Sequence, residues 1–395
     1  MNIEGEMGRK VSSSVNINYS RITFMIFVII ALCVILFYIY NDLFSYVYTF
    51  LTIKTTEKYV NESYVPSPVL EEDKNTYTWL IHLYPPLHNA GSEWMAHAMN
   101  QYMINVRGFK INVVVNDTKV SEFERVVLIK RDDINKSQDF IKHSNAIITH
   151  WHMEPNAVIT AQKAKRPLVI VLHDHHRKTY LEQYKNFIPK NIYLIHNSYW
   201  IKDYYSSFNI PSIVVYPPVY WKEYNIETTR EYVTLINLNY NKGGNVFIEI
   251  ARRMPDVKFL GVEGAYNGQI KDTRMANITY HPTTPYIKDI YAKTGIILMP
   301  SKEESWGRVA VEAMSSGIPV IANPTPGLVE SCKDAGIFCN RSDIDAWVRE
   351  IRRLKTDPKY YKMKSEQCLE RAKALDPEPQ LNTMANWISG LKWRE

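Results

Sequence analysis

Residues 298–321 read LMPSKEESWGRVAVEAMSSGIPVI. The stretch divides into an apolar strand end, a polar loop, a short helix, a stop near Gly317 and a second apolar strand. Glu304 falls in the loop and Glu312 in a helix predicted to start near Gly307. Helical side chains lean toward the N-terminus, so Glu312 points at the mouth that Glu304 borders. Between the two acids, the backbone N–H groups of Ser305, Trp306, Gly307, Arg308 and Val309 are predicted to face outward. The start of a helix leaves such donors without intrahelical partners and attracts anions. One acid on each side of a phosphate cradle suits a sugar nucleotide, with one carboxylate for ribose hydroxyls and the other for sugar hydroxyls.

The string around the acids comprises Pro300-Ser301, Gly307, Glu312-Ala313-Met314, Gly317 and Pro319-Val320-Ile321. It resembles the donor-site signature of family 4 glycosyltransferases, which are retaining enzymes of GT-B architecture. The resemblance implies that Glu304 contacts the donor sugar and Glu312 holds the ribose. It also implies a retaining transfer without a protein nucleophile, and no metal cofactor.

Working outward, short apolar runs alternate with helical ones. Strands are predicted over 77–83, 111–115, 146–149, 168–172, 192–195 and 213–215. Helices are predicted over 92–106, 155–165 and 199–208. A break at 216–231 precedes a second set, with strands over 233–236, 258–260, 296–299 and 320–322. Its helices fall over 246–254 and 286–292, in the motif itself, and over 344–354, 366–375 and 382–391. Unbroken apolar strands between helices indicate parallel sheets covered on both faces. The expected fold is α/β: GT-B, two Rossmann-like doubly wound domains facing a cleft. The acceptor-binding domain is expected over 76–220, the nucleotide-sugar-binding domain over 221–375, and a helical segment over 376–395.

Three more segments are candidates for the site. Residues 235–244, LINLNYNKGG, form a strand end and a glycine loop from which Lys242 can reach a diphosphate. The family usually carries an arginine five residues before this lysine; here the position is Asn237. Arg308 at the helix mouth is the expected substitute. Residues 83–93, LYPPLHNAGSE, open a helix after the first strand; the segment resembles the family's first loop, which implies that Gly91 faces donor phosphate or acceptor. Residues 168–177, LVIVLHDHHR, put His173 and Asp174 at a strand's carboxyl end. Ligands of open α/β sheets bind at that edge. By resemblance His173 touches the donor sugar, while Asp174 can orient an acceptor hydroxyl. The His-Asp-His-His run can also bind metal, but consecutive residues at a strand end point in different directions, so none is expected. His150 and His152 are further candidates for the acceptor pocket.

The chain has 395 residues, 46% of them hydrophobic and 22% charged, with net charge +6. That size accommodates two domains. The positive charge is spread along the chain and favours nucleotide phosphates or membrane lipids; no nucleic-acid motif is present. The four cysteines, Cys33, Cys332, Cys339 and Cys368, show no metal-ligand spacing. After a polar tail over 1–21, residues 22–40 carry no charge. As a helix they span about 28 Å, close to a bilayer core, and are expected to cross the membrane once. Arg9, Lys10 and Arg21 before the run against Lys54 and Lys58 after it leave the side of the catalytic domain open. Residues 41–75 then form a stem. Asn61, Asn116, Asn135, Asn277 and Asn340 head glycosylation sequons, relevant where the domain is lumenal.

The expected activity is transfer of a sugar from a nucleotide sugar to a glycan, lipid-linked or other hydroxyl acceptor. The alternatives are a sugar-nucleotide epimerase of the same architecture and a non-catalytic carbohydrate-binding protein.

Overall fold

The computed structural model describes residues 75–395, apart from 89, 151–153, 179–180, 183–189 and 266–267. The expected membrane segment over 22–40 lies outside the described residues. Among the described residues, no helix is long and apolar enough to cross a membrane.

Eight strands make the first sheet: β1 (Thr76–Leu80), β2 (Lys110–Val115), β3 (Glu122–Phe123), β4 (Val126–Lys130), β5 (Ala146–His150), β6 (Leu168–Leu172), β7 (Ile192–His196) and β8 (Ser212–Val214). Their spatial order is β3-β4-β2-β1-β5-β6-β7-β8. Among the described residues of this sheet, only the β3–β4 pair is antiparallel. The central strands β1, β5, β6 and β7 are buried along their whole length, as the unbroken apolar runs predict. One face packs on helix Gly91–Arg107 through Met95, Met99 and Met103; the other packs on Ala157, Val158 and Ile201.

The second sheet has six parallel strands: β9 (Tyr232–Ile236), β10 (Phe259–Val262), β11 (Ile278–His281), β12 (Thr294–Met299), β13 (Val320–Ala322) and β14 (Ile337–Phe338). Their order is β11-β10-β9-β12-β13-β14. The chain moves outward on one side from β9 to β11, then returns to β12 and moves outward on the other. Strand order therefore reverses between β9 and β12, and in the first sheet between β1 and β5. At such a reversal the two following loops diverge to opposite faces and leave a crevice at the carboxyl edge.

The elements depart from the sequence reading in several places. β3, β4, β11 and β14 were not anticipated, nor were helices Ile134–Lys142 and Pro326–Cys332. The break over 216–231 holds a short helix, Trp221–Tyr224. The helix expected over 199–208 is an α-helix only over Tyr199–Tyr204, then a 3₁₀ turn at Ser206–Phe208. The helix expected over 366–375 is the latter part of Pro358–Ala374, which Asp357 caps.

The final helix, Glu378–Ser389, returns to the first sheet. Leu381, Met384, Ala385 and Ile388 join the core beneath helix Gly91–Arg107. Their spacing puts them on one helical stripe, and Trp387 meets Tyr193 edge-on at 5.8 Å. Burying a leucine or isoleucine contributes about 1.5–3 kcal/mol, so this stripe is a firm attachment.

Candidate active site

The carboxyl edge of the second sheet supplies two glycine-started helices. Gly307 precedes helix Arg308–Ser315 with φ 97°, and Gly243 precedes helix Gly244–Arg253 with φ 94°. Both angles lie in the left-handed region that glycine adopts without steric cost. A Cβ would also sit 2.6 Å from Leu328 Cδ2 at Gly307 and 2.6 Å from Pro300 Cγ at Gly243. No side chain caps either helix, nor the start of helix Gly91–Arg107 in the first domain. By contrast, Thr325 caps helix Pro326–Cys332 in the ordinary way. Two of these uncapped N-termini, at Gly91 and Gly307, open on one cleft, where a helix start and its positive dipole end favour an anion.

Two adjoining cavities occupy this cleft. The larger, about 900 Å³, is walled by both domains and includes Gly91, His173, Asp174, Lys242, Glu304, Ser305, Trp306, Gly307 and Arg308. The second, about 480 Å³, runs over the ends of β9 and β10 and includes Gly91, Asn237, Lys242, Glu304, Gly307, Arg308, Val309 and Glu312. Every site candidate drawn from the sequence therefore lines one or both, except His150 and His152. His150 lies just beneath, and residue 152 is outside the described residues.

Each acid carries its own cation. Lys242 Nζ donates to Glu304 Oε2 at 2.5 Å, and Ser301 Oγ donates to the same oxygen at 3.1 Å. Arg308 Nε donates to Glu312 Oε1 at 2.6 Å, one helical turn away, while the Tyr291 hydroxyl donates to Oε2 at 2.7 Å. Arg308 also donates to the Tyr224 hydroxyl at 3.2 Å. Burial opposes the charge on Arg308, but Glu312 and Tyr224 hold its pKa above the usual value. Burial and the adjacent Glu312 raise the Tyr291 hydroxyl in the same way. Lys242 is the more exposed cation, at 34% against 22% for Arg308. Arg308 is thus braced against Glu312, and Lys242 is the side chain with room to turn toward a phosphate.

Asn237 occupies the position where an arginine was expected. It has φ 71°, a conformation asparagine tolerates better than most residues. Its Oδ1 accepts from Gln269 Nε2 at 3.1 Å and from the Asn239 amide at 3.3 Å. The side chain fastens the turn that carries Lys242, whose own amide donates to Asn239 Oδ1 at 2.8 Å.

Across the cleft, His173 Nε2 and His150 Nδ1 share a hydrogen bond of 2.9 Å. Burial pushes the His173 pKa down to about 3, so the ring is neutral at physiological pH. Asp174 Oδ1 accepts from the His176 amide at 2.8 Å and so turns the chain after β6. This turn, which the sequence alone did not reveal, brings the rings of His175 and His176 to 4.1 Å between centroids.

The two domains are joined beside the acids. Asn197 Nδ2 donates to Ser305 Oγ at 2.9 Å, and Trp200 Nε1 donates to the Ser305 carbonyl at 2.7 Å. Glu330 accepts from the amides of Tyr199 and Trp200 at 2.8 and 3.0 Å. Trp306 is buried and stacks on Tyr216 at 3.8 Å, so its contribution to the cleft is through the backbone. Tyr224, Tyr291, Asn197, Trp200 and Glu330 escaped the sequence reading, because none lies in a local motif.

Two parallel sheets facing a cleft, with helix N-termini at the switch point, form the GT-B-like α/β fold of glycosyltransferases. The chain superimposes on Anabaena HepE in complex with UDP-glucose with a TM-score of 0.65 at 16% identity, over 80% of this chain and 100% of that one. Residues 222–373 match the family described as Glycosyl transferases group 1. Over 78 residues the chain is 37% identical to a D-inositol 3-phosphate glycosyltransferase of Streptomyces bingchenggensis, spanning 19% of this chain and 17% of that protein. Over 123 residues it is 29% identical to an uncharacterized glycosyltransferase of Haemophilus influenzae, spanning 28% and 34%. The chain thus spans about a third or less of the length of these two curated relatives.

Proposed function

We propose that the protein is a glycosyltransferase that takes a sugar from a nucleotide sugar, retains its anomeric configuration, and delivers it to a hydroxyl acceptor in the cleft. The observation that carries this reading is the convergence of two uncapped helix N-termini, at Gly91 and Gly307, on the cavities that hold the Lys242–Glu304 pair. As the glycosidic bond to the diphosphate breaks, negative charge grows on the leaving oxygen. Preoriented amides and Lys242 stabilise that charge without reorganising at the moment of reaction. The charge-assisted bond to Lys242 contributes roughly 1.5–3 kcal/mol.

In this reading Lys242 turns from Glu304 to the diphosphate, and Glu304, still held by Ser301, offers its freed carboxylate to a sugar hydroxyl. Glu312, fixed by Arg308 and Tyr291, receives the ribose. Neutral His173 donates or accepts a hydrogen bond at the sugar and carries no charge. Asp174 and the Gly91 loop face the acceptor. The departing phosphate takes the acceptor's proton, which leaves no step for a protein nucleophile or a metal cofactor. Residues 22–40 anchor the enzyme in a membrane, and the acceptor is a glycan or a lipid-linked hydroxyl near that surface.

Two measurements test this. Incubation with UDP-, GDP- and ADP-sugars and simple acceptors should release a nucleoside diphosphate, and NMR of the product should show the donor's anomeric configuration. Absence of release with every donor rejects the activity, and an inverted product rejects retention. A protein lacking residues 1–75 should be released from membranes and still turn over small acceptors. Persistent membrane attachment would reject the anchor.

A further inference from the structure

We propose that His175, His176 and Glu303 form a binding site for a divalent transition-metal ion, of which Zn2+ is the best fit, and that the ion clamps the two domains across the cleft. The three side chains line the larger cavity beside His173 and Glu304, and the site does not depend on the reaction proposed above.

The ligand atoms come from both domains. His175 and His176 sit in the turn after β6, and Glu303 sits in the loop after β12. One ligand atom from each lies within 4.8 Å of the others; this is the sole such cluster among the described residues. His176 Nε2 and Glu303 Oε2 are 3.3 Å apart. Tetrahedral bonds of about 2.0–2.2 Å separate adjacent ligand atoms by roughly 3.3–3.6 Å, so this edge already has the spacing that zinc requires. Two imidazoles and one carboxylate suit zinc, cobalt or nickel, whereas magnesium and calcium prefer all-oxygen shells. Three protein ligands leave a fourth position for water, as in open zinc sites.

The rings are also held in place. The Asp174 side chain closes the turn on the His176 amide, and the Tyr205 hydroxyl donates to the Asp174 carbonyl at 3.0 Å. The His175 ring lies 5.6 Å from Trp200 and 5.5 Å from Tyr204, centroid to centroid. Glu303 immediately precedes Glu304, so an ion on Glu303 ties the acid loop to the first domain. The bound ion would hold the two domains in the relative position that the Asn197–Ser305 and Trp200–Ser305 bonds already set.

The test is a titration of the full chain, purified in detergent and freed of metal by a chelator. Co2+ should bind at one equivalent and give the intense visible absorption of a tetrahedral ion, and Zn2+ should displace it. Glu303→Gln and His176→Ala change exposed side chains, at 53% and 60% exposure, and leave the fold intact. Each should weaken binding by at least about tenfold, the scale of effect that even outer-shell changes produce at metal sites. Zn2+ should raise the melting temperature of the wild type and not of Glu303→Gln. Absence of saturable binding, or Co2+ affinity unchanged in both variants, overturns the site. Loss of affinity in His176→Ala with Glu303→Gln unaffected overturns the clamp.

Discussion

Lys242 Nζ donates to Glu304 Oε2 at 2.5 Å, although the two residues lie 62 positions apart and arrive on loops from different strands. The loops follow β9 and β12, the pair at which strand order reverses. The contact therefore marks the floor of the crevice that the topology creates. A diphosphate entering here competes with Glu304 for the lysine, which frees the carboxylate for a sugar hydroxyl. Glu304→Ala should then lower kcat by more than about tenfold, or about 1.4 kcal/mol of barrier, while diphosphate affinity holds or rises. Steady-state kinetics with a diphosphate titration checks this; weaker diphosphate binding with unchanged kcat would reverse the assignment.

The second pair behaves differently because it is more deeply enclosed. Removing Glu312 leaves Arg308 without its counter-ion and Tyr291 without its acceptor. Glu312→Ala should cost about 3 kcal/mol of stability as well as nucleotide affinity. Arg308→Ala should likewise act more on stability than on diphosphate binding. Urea unfolding of both variants decides this, and unfolding midpoints equal to wild type would show that the pair bears no structural load.

How much of this was legible beforehand varies with the range of the interaction. The motif over 298–321 is local: its strand, loop, helix and glycine signals sit side by side, and Gly307 starts the helix where the sequence places it. The central strands were equally plain, being buried on both faces. β4 was missed because it lies toward the sheet edge, and Val127 is exposed. The β3–β4 turn uses Glu124 and Arg125 at positive φ in place of a glycine signal. The apolar stripe of helix Glu378–Ser389 was readable as a helix, but nothing in a stripe names the surface it covers. The pairing of Arg308 with Glu312, which Tyr224 and Tyr291 complete from distant elements, was not legible in the motif alone.

Acid should destabilise the fold through His173 and His196. Burial lowers the pKa of His173 to about 3, and burial with nearby Lys202 lowers that of His196 to about 4. The unfolded chain binds these protons near pH 6.5. Between there and the folded values it holds more protons than the native state, so stability falls as pH falls. Their contribution is whole above pH 6.5 and declines below it, by up to about 1.4 kcal/mol per pH unit for each ring. Urea midpoints at pH 7 and pH 5 should differ, and less so in His173→Asn. A midpoint that rises on acidification would contradict the argument.

The sequon at Asn277 should stay unmodified in any compartment. Its Nδ2 donates to the carbonyls of Ala251, Met254 and Val257 at 2.9, 3.0 and 3.3 Å. A glycan on this nitrogen would break the end of helix Gly244–Arg253 away from β11. Peptide mass spectrometry of protein from a glycosylating host checks this, and a glycan found on Asn277 in folded protein would refute it.

The central claim is that the switch-point cleft of the second domain binds a nucleoside diphosphate through Lys242 and the helix-mouth amides. Isothermal titration of UDP, GDP and ADP into the full chain, and into Lys242→Ala, tests it most directly. The account predicts that at least one diphosphate binds the wild type and loses affinity in the variant by roughly 10–150-fold, the equivalent of about 1.5–3 kcal/mol. No binding by any of the three, or equal affinity in the variant, would contradict it.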